Sequence, residues 1–128
     1  MLSVQELRAI SNARLRDAEV LLKARRFDGA VYLCGYAVES ALKARICTTL
    51  DWAQFPQTNK EFEGLLSLRT HDLDVLLRLS GVERKIKGSL LAQWSVVQNW
   101  RPEKRYSSIG TATRRDATDM IRSARVLV

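Results

Sequence analysis

Phe27 to Cys47, FDGAVYLCGYAVESALKARIC, constrains the fold more than any other stretch of this chain. At helical period, Phe27, Val31, Cys34, Val38, Ala41 and Leu42 form one apolar stripe. Beside it runs a second row, Ala30, Leu33, Ala37, Ala41 and Ala44, which makes the apolar arc wide. A helix apolar over so much of its circumference belongs in the middle of a fold, with neighbours on more than one side. Ala30, Gly35, Ala37, Ser40, Ala41 and Ala44 are small enough to let those neighbours come close. Asp28 sits where an N-cap or first-turn carboxylate belongs, and Lys43 and Arg45 lie towards the C-terminal end, as the helix dipole favours.

The flanking sequence supplies helices to pack around it. Ser3 and Glu6 have capping-box spacing, and Leu7, Ile10, Leu15, Ala18, Leu21 and Leu22 carry a helix from there to about Arg25. Phe27, Asp28 and Gly29 are expected to make the tight link into the second helix, so the two are antiparallel neighbours. Thr48 to Lys60, with Pro56 and the aromatics Trp52 and Phe55, reads as a loop whose rings cap one end of the bundle. Glu61 to Leu68 reads as a short helix weakened by Gly64. Thr70 is the expected N-cap of a helix ending at Ser80–Gly81, with Asp72 and Asp74 in its first turn. Glu83 to Trp100 reads as one further helix, with Ile86, Leu90, Trp94 and Val97 on its inner side. Pro102 disfavours helical angles at Arg101, so a loop follows to Thr111. Thr113 and Asp116 then open a last helix with Ala117, Met120, Ile121, Ala124 and Leu127 inward. No alternating strand pattern stands out. The expected architecture is all-α, an up-and-down bundle of four to five helices forming a single domain over residues 1–128.

The chain has 128 residues, the size of one ordinary domain. It has no apolar run near the roughly 18 residues of a membrane span. Its N-terminus lacks the basic-then-apolar order of a signal peptide, so a cytoplasmic protein with no membrane association is expected. Cys34 and Cys47 on one helix would be about 20 Å apart, which excludes a disulfide between them and leaves two reduced core thiols. With one histidine and no cysteine pair, no metal site or cofactor is expected. The formal net charge is +7, from 21 Lys+Arg against 14 Asp+Glu, which fits either an anionic partner such as RNA, a nucleotide or an acidic protein, or a solubilising surface, since no single long basic run stands out.

Residues 18–46, with RRFDGAVYLCGYAVESALKARI at their heart, resemble the opening helix pair of a HEPN domain. THDLDVLL (Thr70 to Leu77) and WRPEKRYS (Trp100 to Ser107) fit the same picture in the same order. HEPN domains are small all-helical modules of prokaryotic toxin–antitoxin and defence systems, often associated with a nucleotidyltransferase. The resemblance implies a homodimer and a nucleotidyltransferase protein as a possible partner; Trp94 and Trp100 mark the expected dimer interface, because aromatics concentrate in interface cores. It also implies contact with RNA or a nucleotide. The family's ribonuclease motif is an arginine, four to six intervening residues, then a histidine. Here the only histidine is His71, and Gly64, Leu65 and Leu66 stand where the arginine would be. The motif is absent.

Arg101 and Tyr106, with Arg105 between them, occupy the place in the chain where the resemblance puts that motif. Tyrosine, with an ordinary pKa of about 10, shuttles protons poorly but can stack on a base or hydrogen-bond a phosphate. The alternative is that both arginines pair with acids while Tyr106 closes the core. His71, beside Thr70, either closes a helix turn or touches a ligand. Glu39, on the most apolar helix, needs a partner if buried: Lys43 locally, or Arg101 or Arg105 from across the bundle. The ligand-binding candidates are therefore Arg101, Arg105, Tyr106, Glu39, Lys43 and His71. No catalytic residue is assigned. The functional expectation is an RNA- or nucleotide-contacting module without efficient catalysis, with a nucleotidyltransferase partner as the alternative and a ribonuclease using Arg101 and Tyr106 as a weaker one.

Overall fold

A computed structural model describes residues 1–103 and 110–128. Among them are six helices, and the two strands are only two residues each. The first helix, α1 (Val4–Lys23), starts where the capping pattern put it, with Ser3 Oγ accepting from the Glu6 amide at 3.1 Å. It stops two residues earlier than the periodicity predicts. Arg25 takes a left-handed φ of 62°, and the Arg26 amide turns back to Leu21 O at 2.8 Å, closing the helix end. The link is thus residues 24–26, and Phe27 and Asp28 already belong to α2 (Phe27–Leu50).

Asp28 is free to reach sideways from the first turn of α2. Its carboxylate accepts the Gly110 amide at 2.7 Å and the Ala112 amide at 2.8 Å, tying the approach to the last helix onto the start of α2. These backbone donors, Gly110 first and Ala112 second, hold the Asp28 carboxyl below its ordinary value.

The second helix is wrapped as its composition requires. It packs against α1, against α3 (Leu73–Ser80) and against α6 (Arg114–Leu127). Cys34, Val38 and Leu42 are buried, whereas Val31 is only half-buried. It runs three residues past Cys47, so Thr48 to Leu50 are helical and the loop begins at Asp51 with φ 56°. Beyond it Gln54–Phe55 (β2) pairs antiparallel with Leu2–Ser3 (β1), Leu2 opposite Phe55 and Ser3 opposite Gln54. This scrap of sheet, unforeseen in an all-α reading, seats Phe55 in the core against Phe62 at a ring separation of 6.2 Å.

Three further boundaries differ from the sequence reading. The stretch 61–68 forms turns rather than a helix, ending in a short 3₁₀ segment at Leu66–Leu68, because Gly64 takes φ 76°. The N-cap of α3 is Asp72 rather than Thr70: its Oδ1 accepts from Asp74 N at 3.0 Å and Val75 N at 3.3 Å, while Thr70 Oγ1 caps Asp72 itself. The single helix expected over 83–100 is two, α4 (Glu83–Ser89) and α5 (Leu91–Val97), with Leu90 non-helical between them. No residue of α4 is buried, so core packing does not hold it in line with α5, which buries Trp94 and Val97. The last helix, α6, begins as expected with a full Thr113–Asp116 capping box.

Trp94 and Trp100, expected at a dimer interface, are instead 1% and 2% exposed within this one chain. Trp100 lies beyond α5, and its indole covers Gly35 so closely that a Cβ there would come within 2.1 Å of the ring. That contact explains the glycine in mid-helix.

Two outcomes are expected. Gly35→Ala drives a methyl into the Trp100 ring and should lower unfolding free energy by about 1–3 kcal/mol or more in urea titration, with helix content retained. An unchanged midpoint would show that Trp100 does not rest on Gly35. For Asp28, the depressed folded value means its contribution is present above about pH 4 and is lost as pH falls through that lower value. Asp28→Asn should therefore lower the melting temperature at pH 7 and flatten its acid dependence.

Candidate functional site

Glu39 sits on the buried side of α2, 4% exposed, and a carboxylate there must be paired to be tolerated. Its closest partner is His71, whose Nδ1 hydrogen-bonds Glu39 Oε1 from the segment leading into α3. Lys43, one turn along α2, brings Nζ to 3.9 Å of the same oxygen and holds the face of the Phe55 ring at 5.4 Å. The local partner foreseen from spacing is therefore the weaker contact, and the histidine is the stronger. With Nδ1 engaged by a carboxylate oxygen, the imidazole is oriented with Nε2 unbound among the described residues. The side chain remains 57% exposed.

Arg101, one of the candidate partners for Glu39, pairs elsewhere. It binds the residue next to His71: Nη2 lies 3.1 Å from Asp72 Oδ2, and Nη1 donates to Trp100 O at 3.0 Å and Gln98 O at 3.4 Å. One carboxylate thus caps α3 through Oδ1 and anchors the end of α5 through Oδ2. Here the bland reading of Arg101 as an arginine paired with an acid is the one the geometry supports. Asp74 adds a second tie, accepting Trp94 Nε1 at 3.0 Å. Arg105 and Tyr106 lie outside the described residues.

The sequence reading missed the aromatic side of this cluster. Tyr36, one turn before Glu39 on α2, sets its ring 6.5 Å from His71 and 4.9 Å from Trp100, edge to face in both cases. Tyr32 follows at 5.2 Å from Tyr36. Both tyrosines are half-buried. The three-residue spacing from Glu39 places Tyr36 on the same helix face, and that spacing could have identified it. Trp100 Nε1 is buried without a hydrogen-bond partner among the described residues. The result is an imidazole held by a carboxylate, with an ammonium behind that carboxylate and aromatic rings beside the imidazole. Such a group can donate or accept a hydrogen bond at Nε2 and flank a planar ring.

The cysteines offer no alternative chemistry. Both are buried and unpaired with each other, and burial pushes the Cys34 thiol up to about 12, with Glu19 adding to the effect. Among the described residues no group of His, Cys, Asp and Glu could hold a metal ion. No described helix is long and apolar enough to cross a membrane. No protein-family model, no curated protein and no solved structure matches the chain.

Removing the imidazole should leave Glu39 buried with only its distant lysine. His71→Ala is expected to cost about 1–3 kcal/mol in urea unfolding, toward the lower end because the ring is half in solvent. Adding Glu39→Leu should recover part of that loss, since the stranded charge is then gone. Strict additivity of the two substitutions would show that the pair does not interact.

Proposed function

We propose that this chain is a HEPN-like helical module that contacts single-stranded RNA or a nucleotide at the His71 edge. The observation that carries the reading is the imidazole oriented by buried Glu39 beside the Tyr36 ring. A base lying along the tyrosines would find a stacking surface, and Nε2 would meet its polar edge or its phosphate. The net charge of +7 draws polyanions to such a surface at long range. In this reading Arg101 is a positioning residue, since Asp72 and two carbonyls take donors from both of its Nη groups.

Cleavage is not part of the proposal. A phosphodiesterase built like the HEPN ribonucleases needs an arginine available to the phosphate alongside the histidine, and Arg101 is committed elsewhere. Self-association is part of it: a two-fold dimer would use exposed Leu91 and Val96 of α5, 53% and 44% accessible, rather than the buried tryptophans.

A fluorescent single-stranded RNA oligonucleotide should bind with an affinity that falls steeply between low and moderate salt, as counterion release requires. His71→Gln, which keeps a hydrogen-bonding group towards Glu39, should fold normally and weaken binding about tenfold, the scale of one lost stacking or charge-assisted contact. Binding that is undetectable at low salt, or unchanged by His71→Gln, refutes the assignment. Incubation with the same RNA should give no cleavage above background. Cleavage abolished by His71→Gln would instead make His71 and Glu39 a general acid–base pair.

A further inference from the structure

A second surface stands apart from His71. Between α1, α2, α4 and the end of α6 runs an open groove of about 570 Å³. Its apolar walls include Leu42 of α2, Ile86 of α4 and Leu127 of α6. Helix α4 buries none of its residues, so Ile86 lies over this groove with one side still open.

The side-chain charges around it are one-sided. Arg8 of α1, Arg45 of α2 and Lys85 of α4 line the groove, and no aspartate or glutamate does. All three are exposed, and none forms an ion pair among the described residues. On the same elements Arg14 pairs with Asp17, Lys43 with Glu39 and Lys87 with Glu83, while Arg16, Lys23 and Arg84, which do not line the groove, form no ion pair among the described residues. Three unmatched cations around an apolar trough call for an occupant that is itself apolar on one face and acidic at its margins.

We propose that this groove docks an amphipathic α-helix of a partner protein. Its aliphatic side chains would seat against Leu42, Ile86 and Leu127, and its flanking Asp and Glu would meet Arg8, Arg45 and Lys85. The proposal does not depend on what binds at His71. Nucleic acid fits this surface poorly, because a sugar-phosphate backbone would answer the cations and leave the aliphatic wall wet. A second copy docked groove to groove fits poorly as well, since it would set Arg8, Arg45 and Lys85 against the same three cations.

The test uses the full chain and two fluorescently labelled synthetic helical peptides. Both carry leucine at helical i, i+3, i+4 and i+7 spacing, and their remaining positions are rich in Glu in one and Lys in the other. The Glu peptide should bind saturably and the Lys peptide should not. The triple reversal Arg8→Glu, Arg45→Glu, Lys85→Glu alters only exposed side chains, and its unchanged melting curve by circular dichroism would establish that it folds. It should weaken the Glu peptide about tenfold or more and admit the Lys peptide, since rim charges of this kind each contribute modestly and together set partner choice. The proposal is overturned if the Glu peptide fails to bind, or if the triple reversal leaves its affinity unchanged. It is equally overturned if single-stranded RNA or decanoate takes the groove in preference to the peptide, or if the wild-type chain forms a dimer that the reversal abolishes.

Discussion

Burial of α2 on several sides at once is the constraint from which the rest of the structure follows. A helix carrying Cys34, Ala37, Val38, Leu42, Ala44, Ile46 and Cys47 inside the core cannot be satisfied by a single neighbour. It gathers α1, α3 and α6 around itself, and small residues set how near each comes. The closest approach is made by a side chain: the Trp100 indole occupies the space that any Cβ at residue 35 would need. A large ring from a remote loop and a missing side chain in mid-helix are therefore two halves of one packing solution.

The polar organisation answers the same constraint. Glu39 is carried inward by its helix and has to be met there, and His71 meets it from the segment preceding α3. The next residue, Asp72, caps α3 with one oxygen and binds Arg101 with the other, so two consecutive residues hold α2, α3 and the end of α5 in register. At the other end of α2, Asp28 does similar work for residues 110–112. Single carboxylates that satisfy several donors locate irregular segments which buried apolar area alone would leave undefined.

Two surfaces share α2 without overlapping on it. Tyr36, Glu39 and Lys43 belong to the histidine side, while Leu42 and Arg45 belong to the groove, about a sixth to a third of a turn around the helix axis from Glu39. One is a polar, aromatic patch suited to a planar anionic ligand, and the other is an apolar trough edged by cations. A ligand at one and a helix at the other could be held by the same molecule at the same time.

The helical fold was legible in the sequence wherever apolar periodicity was sustained: α1, α2 and α6, with Ser3 and the Thr113–Asp116 pair marking their starts. Local signals failed at the start of α3 and over α4 and α5. Thr70 looked like a cap, but Asp72 offers a carboxylate to two amides; residues 83–100 looked like one helix, but Leu90 divides it and only α5 contributes fully buried residues, Ile86 of α4 being partly buried against the core. The site was half legible. Glu39 stood out as a carboxylate on an apolar helix, and Lys43 followed from spacing. That His71 would be its principal partner, that Arg101 would turn to Asp72, and that Tyr36 would stand beside the imidazole depended on residues tens of positions apart. Sequence by itself determined that a carboxylate lies on the most apolar helix and needs a counter-group if that part of the helix is buried, because helical periodicity is a local property. Only the tertiary structure decided which group arrived, because that choice is made by how α2 and α3 pack, and pairing across 32 residues leaves no periodic trace.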